Sequence, residues 1–374
     1  MRQKTFRPVI GWFRAPIFSL TIALCSISSN VLAAGTSPAG SVASDQSLAH
    51  AVVIAAQPPA GFNPIAASDR DLADYGFPPK PDQQSAPNAY AKWRTLVSVP
   101  RAANPQLIQT NIYNRPVQQL LPGKTPANGI VSVSSNNWSG YAAVGPSGTF
   151  RPNNSFVFQE WIVPVAEQAH GVCNGSWDYS SQWPGFDGFG SNDVLQGGTE
   201  VDAYCSGSTK ASFYSAWIEW FPFSETRVSA PLVQPGNFMV GEVWYTTSSP
   251  FGHVYLANYT LYTAASYAFN PPAGTTFVGN SAEWVMERPG LGGNVLANLT
   301  NYNGLADSYN VNYAYNGTNY FYPGSVPAGS TDYAITMTCP PWSPSSSCTS
   351  TTTLSTPALY GPYTLWFYDG GPAY

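Results

Sequence analysis

With 374 residues, 9% charged and 14% aromatic side chains and an abundance of Gly, Ser, Thr and Asn, the chain excludes a leucine-patterned helical protein and fits a secreted all-β one. The formal net charge of −5 hides a division: from residue 131 onward only Arg151, Lys210, Arg227 and Arg288 are basic, against fifteen Asp and Glu, for a net charge of −11. A body this acidic excludes nucleic acid as a partner, and its few cations limit the self-repulsion that unfolds proteins in acid.

Residues 1–34 read as an export signal. Arg2, Lys4, Arg7 and Arg14 open it, residues 15–32 are largely apolar, and Val31-Leu32-Ala33-Ala34 suits cleavage after small residues. Ser26, Ser28, Ser29 and Asn30 interrupt the apolar run, and no other stretch approaches the ~20 apolar residues of a membrane span. A secreted, extracellular protein without a membrane partner is expected.

Residues 35–130 form a second segment, rich in Pro and Ala, with seven basic residues against five Asp. A short helix is expected over 68–75, with Ser68 as N-cap and Asp71 three residues on, and another over 88–97. Leu72, Tyr75, Phe77 and Trp93 are anchors that can dock on a partner surface but cannot build a core of their own. The charge contrast with the acidic body marks this segment as a propeptide covering that body until it is removed; a flexible linker is the other reading.

Residues 131–374 read as strand after strand. Aromatic-rich runs cover 138–144, 156–163, 212–221, 237–246, 253–268 (two strands, or one with a bulge), 283–287, 308–314, 332–338 and 363–368. Gly, Pro, Asn or Ser bounds nearly all of them, so one large antiparallel β-sandwich is expected, as a monomer. Once Cys25 leaves with the signal, Cys173, Cys205, Cys339 and Cys348 remain. Of three possible disulfide pairings the local one, Cys173–Cys205 with Cys339–Cys348, is preferred. No CxxC occurs and no His lies at ligand spacing from a cysteine pair, so neither a metal nor another cofactor is expected.

Elimination narrows the chemistry. The chain has no G-x-S-x-G elbow, no H-E-x-x-H and no catalytic cysteine once the four past the signal are paired, and His170 and His253 sit where a structural role is expected. Three stretches remain. In 282–287 strand alternation puts Glu283, Val285 and Glu287 on one face. Gln182-Trp183-Pro184-Gly185-Phe186-Asp187-Gly188 runs on to Leu195-Gln196-Gly197-Gly198, where little crowds the Gln196 amide. Trp217 and Glu219 share the third face, within Ala216-Trp217-Ile218-Glu219-Trp220.

Together with Asn137-Trp138-Ser139-Gly140 and Glu160-Trp161-Ile162-Val163-Pro164, these blocks resemble the glutamic peptidases, or eqolisins, in order, over roughly residues 135–290. The resemblance implies a concanavalin A-like sandwich, secretion as a proenzyme, peptide substrates and acid endopeptidase activity by a Glu/Gln dyad without metal. Glu283 matches the family glutamate and Gln196 its glutamine, while Trp183, Asp187 and Trp217 match cleft-lining residues. The family's Asp just after the glutamine has two candidates here, Glu200, taken as substrate-binding, and Asp202. The competing reading is a glycoside hydrolase or carbohydrate-binding sandwich; Glu283 and Glu287 share a face but sit ~13 Å apart along the strand, too far for a retaining pair without a bulge, so Glu219 from a neighbouring strand would be needed.

Overall fold

The computed structural model describes residues 52–109, 120–124, 129–168, 173–291, 295–302, 305–308, 311–339, 348, 351–361 and 364–370. The expected export signal and His170 lie outside them. All fall in one unit, Ser44–Tyr374. The N-terminal segment contributes β1 (Val52–Ile54), α1 (Asp69–Asp74), α2 (Pro87–Val97), β2 (Leu107–Gln109) and β3 (Leu120–Lys124). The body opens with β4 (Ile130–Ser135), β5 (Trp138–Val144), β6 (Phe156–Ile162), β7 (Asn174–Phe186), β8 (Val194–Ser206) and β9 (Thr209–Phe221). β10 (Thr226–Val228), β11 (Phe238–Tyr245), β12 (Gly252–Asn258), β13 (Thr263–Phe269) and β14 (Ser281–Glu287) follow. Last come β15 (Leu305–Ser308), β16 (Asn312–Tyr315), β17 (Tyr320–Phe321), β18 (Thr331–Cys339), β19 (Thr352–Tyr360) and β20 (Thr364–Asp369).

Two sheets stack, as the run of antiparallel strands predicts. The smaller has the order β1-β13-β12-β11-β6-β16-β17. The larger runs β15-β20-β19-β18-β5-β14-β7-β8-β9-β10-β2, with β4 pairing β18 in parallel and β3 pairing β4. Between them lies a core in which Trp161, Val243 and Leu256 of the small sheet meet Leu195, Trp220 and Trp284 of the large one. Alternation then sends the neighbours outward: Phe156, Phe158 and Trp244 leave the small sheet on its other side, and Trp138, Trp183 and Val285 leave the large one. Three layers of side chains therefore exist, one between the sheets and one on each outer face.

The helices form where capping chemistry places them. The Asp71 amide donates to Ser68 Oγ at 3.2 Å, and Pro87 opens α2, where its missing N–H costs nothing. Both disulfides follow the local pairing, with Cα separations of 4.8 Å for Cys173–Cys205 and 5.9 Å for Cys339–Cys348. The run 253–268 is two strands, β12 and β13. The run 308–314 is not one strand: its ends belong to β15 and β16, which enter different sheets.

Candidate active site

β14 is a central strand of the large sheet, flanked by β5 and β7. Ala282, Trp284 and Met286 fill the core between the sheets, so Glu283, Val285 and Glu287 face the opposite side. Register then builds a row across five strands. Glu283 stands opposite Ala142 on one side and Gly185 on the other; Gly185 stands opposite Gln196, and Gln196 opposite Glu219. Paired residues share a face, so Glu283 and Gln196 rise from the same surface, about 10 Å apart along the backbone row. Only Gly185 lies between. A Cβ there would stand 2.8 Å from the Trp183 ring and 3.1 Å from Gln196 Cβ, so this close approach requires glycine.

Hydrogen bonding in the row is one-sided. Gln196 Nε2 donates to Glu219 Oε2 at 2.8 Å, which fixes the amide plane. Gln196 Oε1 and both oxygens of Glu283 have no partner among the described residues. Both residues are 0% exposed in the 374-residue chain. Burial pushes the Glu283 carboxyl well above the ordinary glutamate range; nearby Ser281 offsets part of this, and Asp187 and Asp193 add to the rise. Enclosure of this kind favours the acid form of Glu283.

The remaining candidates divide into wall and frame. Trp183 and Trp217, both fully buried, flank the row one step further along β7 and β9. Trp183 Nε1 donates to Glu287 Oε2 at 2.9 Å, and Asn137 Nδ2 donates to Glu287 Oε1 at 3.2 Å. Both Glu287 oxygens are thus engaged, and it lies ~13 Å along the strand from Glu283, a geometry that fails a retaining glycosidase pair. Asp187, with φ 67°, accepts from the Val278, Gly279 and Asn280 amides at 2.8, 2.9 and 3.0 Å. It pins the turn that launches β14. Burial, reinforced by Asp193, raises it to about 7. Glu200 and Asp202 share the Gln196 face of β8; Glu200 stands ~13 Å from Gln196 along the strand and Asp202 ~20 Å. Burial and neighbouring Glu200 raise Asp202 well above the usual range.

Two residues escaped the sequence reading. Glu219 was given no part in the dyad, although the face it shares with Trp217 was visible; Gly185 stood within the Gln182–Gly188 stretch with no role assigned. Among the described residues no three of His, Cys, Asp and Glu gather in a group that could hold a metal ion.

Residues 136–318 match the model of the peptidase A4 family, a span that contains every strand of the row. No curated protein matches the chain. Among solved structures, scytalido-glutamic peptidase with a transition state analog inhibitor shares 18% identity over 63% of this chain and 98% of its own, with a TM-score of 0.47. SCP-B, an eqolisin in complex with the tripeptide Ala-Ile-His, shares 18% over the same shares of the two chains with a TM-score of 0.41. Aspergilloglutamic peptidase from Aspergillus niger shares 20% over 51% of this chain and 99% of its own, with a TM-score of 0.40. Residues 136–318, with Glu283, Gln196, Gly185 and Glu219 among them, thus match the peptidase A4 family.

Proposed function

We propose that this glutamic peptidase is exported as a proenzyme and cleaves peptide bonds in acid with Glu283 and Gln196 acting on one water. The observation that carries this is the row itself: three oxygens without a partner among the described residues, from one carboxylate and one amide, on the same sheet face to either side of a glycine. Peptide hydrolysis needs a base for water, a donor for the developing oxyanion and an acid for the leaving nitrogen. Ionised Glu283 takes a proton as the water oxygen attacks the scissile carbonyl carbon. Gln196 Oε1 holds that water, and the Nε2 hydrogen not bound to Glu219 donates to the oxyanion. As the C–N bond breaks, Glu283 returns its proton to the amine. Glu219 acts through Gln196 by fixing its orientation.

A carboxylate base suits an acidic medium, where the leaving amine is readily protonated. In the full-length chain the base is enclosed and its burial favours the protonated form, so peptides have no access and the water-activating form is disfavoured. Opening the face to solvent lowers the Glu283 pKa toward the ordinary range and supplies both. Residues 1–34 serve as the export signal in this reading, and the cut that matures the enzyme falls between about residues 115 and 136.

The test is acid incubation of the purified full-length chain, wild type beside Glu283→Gln. Self-processing and cleavage of denatured protein are expected in the wild type alone, unaffected by chelators. Full activity in Gln196→Ala would falsify the dyad.

A further inference from the structure

Residues 52–104 do not sit where an inhibitor would. The dyad faces outward from the large sheet, whereas residues 52–104 lie against the outer face of the small one. Two sheets and the core separate them. Leu72, Phe77, Trp93 and Leu96 are buried there against Phe158, Tyr255 and their neighbours. β1 pairs with β13 as the terminal strand of the small sheet, with Val52 opposite Phe269 and Ile54 opposite Tyr267.

Polar contacts stitch this layer as tightly as a core. Lys92 Nζ reaches both Glu160 oxygens at 2.9 Å, with Glu160 only 2% exposed. The Ala102 amide donates to Ala264 O, and the Ala264 amide to Pro100 O, each at 2.8 Å. Arg101 donates to the carbonyls of Tyr75 and Ala55, and Ser266 Oγ to Gly76 O. Bonds of this kind run between the layer and strands of the sandwich, not only within the layer. Without the layer, the aromatic outer face of the small sheet would meet water as one apolar patch, and buried Glu160 would lose the Lys92 ammonium.

We propose that residues 52–104 are a permanent layer of the working enzyme, remaining on the small sheet after the chain is cut further along. The segment serves the enzyme as a bound structural partner and not as a discarded inhibitor. The proposal rests on the peptidase reading only for the cut itself; the docking stands on the contacts above.

Two measurements test it. In hydrogen-exchange mass spectrometry of the full-length Glu283→Gln chain at pH 3 and pH 7, the amides of α2 and β1 are expected to share the protection of β6 and β11. Exchange of α2 and β1 at least tenfold faster than β6 would overturn the proposal. For wild type held in acid, native size exclusion followed by denaturing mass spectrometry should find residues 52–104 in the active peak, whether still covalent or as a co-eluting fragment. An active, soluble peak lacking them would overturn it. Failure of the dyad reading shows up differently, as equal processing in wild type and Glu283→Gln, and leaves the exchange result to stand or fall alone.

Discussion

The two outer faces of the sandwich both bury carboxylates among aromatic rings, yet they are finished differently. On the small sheet, Glu160 is buried with both oxygens on Lys92. On the large sheet, Glu283 is buried with neither oxygen partnered, across a glycine from an amide whose oxygen is also free of partners. Burial alone therefore does not mark chemistry. Glu242 makes the point: it is buried on the small sheet's outer side, its Oε1 lacks a partner, and burial raises it well above the usual range. It stands opposite Tyr255 and Phe158, with no glycine gap and no facing amide in its row. The arrangement around a buried acid, more than its desolvation, separates framework from reaction centre.

Substitutions can break or sharpen this contrast. Glu283→Gln removes the base and should lower kcat/KM by roughly 10³–10⁴. Gln196→Ala, which removes the oxyanion donor, should cost roughly 10²–10³ in kcat. Glu219→Gln keeps the volume but loosens the Gln196 amide; a tenfold or larger fall in kcat with KM and melting temperature unchanged would separate positioning from framework. On the other face, Trp93→Ala should leave kcat intact and lower stability by about 3–5 kcal/mol, read by denaturant unfolding. Glu242→Gln should change neither activity nor, by more than about 1 kcal/mol, stability; lost activity there would erase the distinction drawn between the faces.

Acid provides another probe of the small sheet. His253 stacks on Trp244 at 4.8 Å, and burial lowers its pKa to about 4. A depressed histidine pKa means that its contribution is complete above the unfolded value near 6.5 and is lost as pH falls through 4. Over the 2.5 units from 6.5 to about 4, at about 1.4 kcal/mol per unit, the loss is roughly 3.5 kcal/mol. His253→Phe, which keeps a ring against Trp244, should flatten stability between pH 6.5 and 4; an unchanged slope would remove His253 from the account.

Much of this was visible in the chain, and what was hidden has a physical pattern. β5 was legible to the residue because Trp138 to Val144 is apolar and bounded by turn formers. β7 and β8 were not, because Pro184, Gly185, Gly197 and Gly198 interrupt the aromatic and β-branched runs that mark a strand. In the sheet these glycines are packing sites: a Cβ on Gly198 would stand 2.1 Å from Gln182 O and 2.7 Å from Trp183 Cβ. β19, rich in Thr and Ser with Pro357 inside, carries too little apolar alternation to be seen. Glu283 and Gln196 were found through family-like blocks, but their meeting depends on the register of β7 between them, which no local pattern encodes. Glu219 was missed for the same reason.

The placement of β1 and β2 has a practical corollary. One ends the small sheet and the other ends the large one beyond β10, so the same upstream stretch occupies a rim of each. Sheet rims with unpaired amides and carbonyls recruit strands from other molecules. Producing residues 131–374 by themselves would bare both rims at once, and insoluble, fibre-prone material is the expected yield.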